Sequence, residues 1–145
     1  MLAAMSKILL IHGPNLNLLG SRQTEVYGYV SSETIVADLQ KQFPSHQIQY
    51  FQSNSEAELV DAIQNARQQF DGIVINAGAF SHTSIAIADA LRSVNMPSIA
   101  VHISNIYNRE SFRHTDLVGD ACKGAIVGLG VAGYAIALEH LTENF

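Results

Sequence analysis

The chain has 145 residues, 48% hydrophobic and 14% charged, with a net charge of −5 and a single cysteine. That is enough for one packed domain and too few for two ordinary ones, and the composition excludes a disordered chain. The negative charge argues against non-specific binding to nucleic acid or to an anionic membrane surface. Cys122 allows no internal disulfide, fits a reducing compartment, and reads as a small buried residue, not a nucleophile. The longest apolar run, residues 125–138, is too short to span a bilayer. No basic leader or cleavage motif opens the chain, and Met5 offers a second start, with residues 1–4 as a ragged extension. The expectation is a soluble cytoplasmic protein with one domain, 1–145.

Strand and helix signals alternate along the chain. Residues 7–12 form an apolar run of strand length, followed by a long polar segment, 13–30. Connections in compact α/β units usually take roughly 2–6 residues, and much longer ones tend to be functional. Ile35, Val36, Leu39 and Phe43 fall at helical spacing, and Pro44 closes the helix. Residues 48–52 are strand-like. Ser55-Glu56-Ala57-Glu58 has the pattern of a capping box, and behind it Leu59, Ile63, Ala66 and Phe70 share a helix face. Residues 72–76, GIVIN, lack alternation, as a strand covered on both sides should. A helix over 83–94, a strand over 98–103, a strand around 125–127 and a helix over 131–141 complete the pattern. Five strands alternating with helices predict an α/β fold, a flavodoxin-like three-layer α/β/α sandwich around a five-stranded parallel sheet.

In such a sheet ligands bind beyond the carboxyl ends of the strands. Those ends lead into residues 13–28, 76–84 and 102–114, which hold Arg22, Arg109 and Arg113, three of the five arginines. Asn15, Asn17, Asn76, His82, His102 and Ser104 lie there too. The clustering predicts a site for a small polyhydroxylated or carboxylated anion. His12, at a strand end, reads as a satisfied structural histidine, and His46 and His140 as surface residues. The histidines show no HExxH and no pairing with cysteine, so no metal site is expected. No GxSxG elbow accompanies the serines, and no lysine is placed for a Schiff base. Gly128-Leu129-Gly130-Val131-Ala132-Gly133 fits a dinucleotide fingerprint, but only twelve residues follow it, too few for the strand and acidic residue the motif needs. Its glycines fit a tight turn and close helix–sheet packing instead.

Arg22 and Tyr27 lie five residues apart in the glycine-rich segment. A tyrosine with a pKa of about 10 is a poor base at neutral pH, and a guanidinium held close favours the phenolate. Spacing alone does not choose between Tyr27 and Tyr29. The stretches GPNLNLLGSR with EVYG, NAGAFSHTSIAIADAL, VHISNIYNRESFR and GLGVAGYAIAL, in this order, resemble the motifs of the type II 3-dehydroquinate dehydratases over nearly the whole chain.

The resemblance implies reversible dehydration of 3-dehydroquinate to 3-dehydroshikimate in the shikimate pathway, with no cofactor and with trimers stacked into a dodecamer. It also implies roles. Tyr27 matches the base, Arg22 the arginine that keeps it ionised, and Asn15 the holder of a water that stabilises the enolate. His102 matches the general acid. Asn76, Ile103 and Ser104 match the pocket for the substrate carboxylate, and His82 and Arg113 the groups that hold ring hydroxyls. Arg109 matches a second arginine of the site, and Asp89 a residue reaching in from a neighbouring subunit. The glycines at 13, 20 and 28 are suitable places for a lid over 13–30 to hinge and exclude water, so the long segment is expected to carry both the base and a closing cover.

Two positions depart from the family pattern. Gln23-Thr24 stands where Glu-Pro is usual, and Ala100 where a glutamate usually precedes the histidine by two residues. Another acid, a water or nothing then orients His102. Two other readings stay open: a homologue that binds a shikimate-like ligand without turnover, and a flavodoxin-like nucleotide-binding module.

Overall fold

The structure is a computed structural model that describes residues 5–143, so the ragged extension expected at residues 1–4 lies outside the described residues. Strands β1 (Lys7–His12), β2 (Gln47–Gln52), β3 (Gly72–Asn76), β4 (Ser98–His102) and β5 (Gly124–Val127) form one parallel sheet in the order β2-β1-β3-β4-β5. This is the flavodoxin-like order, whose switch point lies between the first and third strands. Helices α1 (Thr24–Tyr27), α2 (Ser32–Gln42), α3 (Glu56–Ala66), α4 (Ile85–Val94), α5 (Leu117–Ala121) and α6 (Ala132–Glu143) fill the connections. Every residue of β3 and of β4 is buried, because helices cover both faces.

Side chains alternate between two apolar layers. Ile8, Leu10, Val74, Ile99 and Val101 pack against Ile35 and Leu39 of α2 and Leu138 and Leu141 of α6. Leu9, Ile11, Ile73, Ile75 and Ala100 pack against α3, α4 and Val118 of α5. His12 follows Ile8 and Leu10 on the first face, and His102 follows Ala100 on the second, by the two-residue period of a strand. Gly133 lies where α6 crosses the sheet; a Cβ there would sit 3.1 Å from a methyl of Val101, which supports the packing reading of the glycine-rich motif.

Serine and aspartate side chains start the helices. Ser31, Ser55, Ser84 and Asp116 each accept an amide of the first turn. The box at Ser55 differs from its pattern. Glu58 reaches the Ser53 hydroxyl at 2.7 Å, and Ser53 in turn accepts the Ser55 amide at 2.9 Å. The helix expected over 83–94 begins later, at Ile85, because a tight turn over Gly78–His82 brings the chain to its cap at Ser84. No helix among the described residues is long and apolar enough to cross a membrane. Burial pushes the Cys122 thiol up to about 11, which makes it a poor nucleophile.

Candidate active site

The polar segments after β1, β3 and β4 meet beside the switch point, where His12 and Asn76 pair in register. The first segment is rooted at Gly13. A Cβ there would lie 2.2 Å from the Ala77 carbonyl oxygen, and the Gly13 amide donates to the Asn76 carbonyl at 2.8 Å. Glycine is required here by close packing, so the root is clamped and is not a hinge. Buried Leu16 and Leu19 then pin the segment to the core. Gln23, at φ 37°, turns the chain into the four-residue α1, which delivers Tyr27.

Tyr27 is held by two arginines. Arg109 Nη1 donates to the Tyr27 hydroxyl at 2.9 Å and to the Ser104 hydroxyl at 3.2 Å. The Arg22 guanidinium lies over the phenol ring, 4.7 Å from its centroid, while its Nη2 donates to Gln23 Oε1 at 2.7 Å. The sequence paired Arg22 with the phenol; the structure places Arg22 on the ring face and Arg109 on the oxygen. Tyr29 is 80% exposed and outside the cavity, so position separates the two tyrosines that spacing left equal.

Opposite them stand two imidazoles, His82 and His102, with ring centroids 6.1 Å apart. Both are fixed by one turn. The Thr115 carbonyl accepts from His82 Nδ1 at 2.8 Å, and the Asp116 carboxylate holds His102 Nε2 at 2.7 Å. Burial pushes the His82 pKa down, with the charges of His102 and Arg113 adding to it, against the opposing Thr115 bond and Asp116 charge. A neutral His82 with its Nδ1 proton on Thr115 presents Nε2 as an acceptor. Burial raises Asp116, but bonds from His102 and from the Gly119 amide outweigh it and hold the carboxyl below its ordinary range.

Asp116 was not anticipated, because the polar segment was read as ending at His114. The signal was present in Asp116-Leu117-Val118, an acidic cap before an apolar pair. Glu110 was also missed; it pairs with Arg113 at 3.1 Å and with Arg109 at 3.6 Å, bracing both guanidiniums.

Asn76 is tied into a buried polar chain. Its Nδ2 donates to the Tyr134 hydroxyl at 3.0 Å and its Oδ1 accepts the Gly78 amide at 3.1 Å. The Tyr134 hydroxyl lies 2.8 Å from His12 Nε2, and the Tyr50 hydroxyl 3.0 Å from His12 Nδ1. Burial lowers the His12 pKa to about 3 and raises that of Tyr134, so both are neutral. His12 is the structural histidine the sequence suggested.

Every expected site residue except Asp89 lines one small cavity, of about 60 Å³. Asp89, on α4, is 69% exposed and sits 3.8 Å from Arg92. A larger hollow, of about 860 Å³, lies at the other end of the sheet beside Asp71, Arg92, Lys123 and Cys122. It collects neither the tyrosine–arginine contact nor the histidine pair, so the smaller cavity is the candidate site. Among the described residues no three acidic, histidine or cysteine side chains cluster to hold a metal ion.

A tyrosine bracketed by guanidiniums, facing a carboxylate-held histidine at the switch point of a parallel α/β sheet, is an arrangement suited to acid–base chemistry on a small anion. Residues 6–142 match the family model described as Dehydroquinase class II. The chain is 50% identical over 143 residues to 3-dehydroquinate dehydratase 2 of Agrobacterium fabrum, covering 97% of each chain. It is also 50% identical over 140 residues to the catabolic 3-dehydroquinase of Penicillium rubens, covering 95% of this chain and 90% of that one. The type II dehydroquinase of Butyrivibrio crossotus superposes with a TM-score of 0.92 at 45% identity, over 94% of this chain and 97% of that one. The chain belongs to the class II dehydroquinase family, and it is a hydro-lyase.

Proposed function

We propose that this enzyme dehydrates 3-dehydroquinate to 3-dehydroshikimate through an enolate, with Tyr27 as base and His102 as acid. The observation that carries the reading is the Tyr27 hydroxyl, bound by Arg109 at 2.9 Å in the same cavity as His102. A phenolate between two guanidiniums takes the proton from the carbon beside the ketone, and the electron pair moves onto the carbonyl oxygen as an enolate. Asn15, through a water, and the positive rim stabilise that charge where it develops. The enolate then expels the C1 hydroxyl, which takes a proton from His102 and leaves as water. Tyr27 ends protonated and His102 deprotonated, and solvent exchange resets both.

Asn76, Ile103 and Ser104 receive the substrate carboxylate, and His82 and Arg113 the ring hydroxyls. The cavity of about 60 Å³ is far below the roughly 300–1,000 Å³ of ordinary ligand clefts, which supports segment 13–30 as a lid whose moving part lies beyond the clamped Gly13 and the buried Leu16 and Leu19. Asp89 lies outside the cavity of its own chain, as a carboxylate supplied to a neighbour would; the size of the assembly, trimers stacked into a dodecamer, rests on the family resemblance alone, and solution mass by light scattering tests it.

The test of activity is ultraviolet absorbance on mixing with 3-dehydroquinate after treatment with chelator and borohydride. A rising signal from the conjugated enone is the expected result. A flat trace from folded protein favours the non-catalytic homologue. The family resemblance implies a place in the shikimate pathway, and the choice between a biosynthetic and a catabolic role stays open. Fungal relatives named catabolic 3-dehydroquinases favour a degradative use such as quinate breakdown, and bacterial relatives named 3-dehydroquinate dehydratases carry no such label. Aromatic auxotrophy after gene deletion separates these two uses from failure to grow on quinate.

A further inference from the structure

We propose that Asp116 is the positioning residue of His102, fixing the imidazole with Nε2 on its carboxylate and Nδ1 left for the departing oxygen. This rests on His102 as the acid. The contact is short, 2.7 Å, and both side chains are largely buried, at 6% and 10% exposure. Its geometry is set from both sides. The Gly119 amide donates to Asp116 Oδ1 at 2.9 Å, so one carboxylate oxygen caps α5 and the other is left for His102. A Cβ on Gly119 would lie 2.1 Å from Asp116 Oδ2, so only glycine leaves the carboxylate in its place.

The carboxylate accepts Nε2–H, which selects one tautomer of the neutral ring and places the exchangeable proton of the charged ring on Nδ1. Other groups near His102 do not duplicate this. His82 stacks on it with its own Nδ1 committed to Thr115, Arg113 and Arg109 are cations held by Glu110, and Tyr27 is bound to Arg109. On β4 itself, Ala100 lies two residues back on the same face and brings no polar atom. The supporting acid is therefore supplied from the next helix and not from the strand.

Asp116→Asn keeps size and capping ability but removes the charge. The expected result is a kcat lowered by roughly 10–100-fold, part of the 10²–10⁴-fold that a positioned general acid contributes, with KM changed by less than about threefold. The limb of the pH–rate profile governed by the acid moves to lower pH. Nitrogen NMR of His102 should show the Nε2–H tautomer in the parent and a tautomer mixture in the variant.

Ala100→Glu in the Asp116→Asn background returns a carboxylate to the same face and should restore part of kcat and the pH limb. An unchanged kcat and profile, or a lowered kcat with the tautomer and the pH limb unmoved, overturns the proposal. His102→Gln, assayed in parallel, keeps the two readings apart. If that variant retains activity, the acid assignment fails and this inference with it. A tautomer that does not respond to Asp116→Asn fails the inference alone.

Discussion

His12 closes β1 and His102 closes β4, at the same edge of one sheet, and both are buried. Yet His12 is enclosed by the hydroxyls of Tyr50 and Tyr134, while His102 rests on the carboxylate of Asp116. Burial penalises the charged imidazole and no carboxylate offsets it among the hydroxyl partners, so His12 is held neutral and serves the scaffold. His102 instead has a carboxylate on one nitrogen and the cavity at its ring, the surroundings that its proposed role as the acid requires. The strand end brings a histidine to the site, and its partners decide whether it builds or reacts.

That contrast breaks first under paired substitution. His102→Gln is expected to lower kcat by about 10²–10⁴-fold with little loss of folding stability. His12→Gln should do the reverse, lowering stability by roughly 1–3 kcal/mol through unpaired tyrosine hydroxyls, with kcat within a few-fold. Steady-state kinetics and urea unfolding on both variants decide it, and a His12 variant that is stable but inactive defeats the distinction.

A second effect follows from pH. Folded His12 titrates at about 3 against an ordinary 6.5, so between those values the unfolded chain binds a proton that the native one does not. Stability therefore falls as pH drops from about 6.5 toward 3, by up to about 4–5 kcal/mol, and this contribution is flat above pH 7. Asp116, held below its ordinary 3.8, acts in a lower window: its stabilisation is present above about pH 4 and is lost beneath it. Urea midpoints measured from pH 7 to 4 should slope in the parent and flatten in His12→Gln. A smaller effect, about 1–2 kcal/mol, is expected for Tyr134→Phe, which takes an acceptor from Asn76. A rise in KM for the substrate would accompany it if Asn76 turns.

The architecture was legible because its signals are local. GIVIN at 72–76 is β3 to the residue, and the segments after β1, β3 and β4 carry the site. What stayed hidden depends on distance along the chain. Tyr134 reaches His12 across 122 residues, a contact set by helix packing that no spacing encodes. The exchange of Arg22 for Arg109 at the Tyr27 oxygen is of the same kind, since Arg109 arrives from 82 residues away. Asp116 was nearer, 14 residues past His102, but reads as an ordinary helix cap, and one of its oxygens is indeed spent that way.

The single cysteine has a practical use. With its thiol shifted to about 11 by burial, Cys122 carries very little thiolate at neutral pH and reacts slowly with alkylating dyes. A cysteine introduced at Tyr29, the most solvent-exposed side chain of segment 13–30 among the large hydrophobics, would then take a fluorophore almost alone. The wild-type background is thus ready for optical recording of that segment without first removing a native thiol.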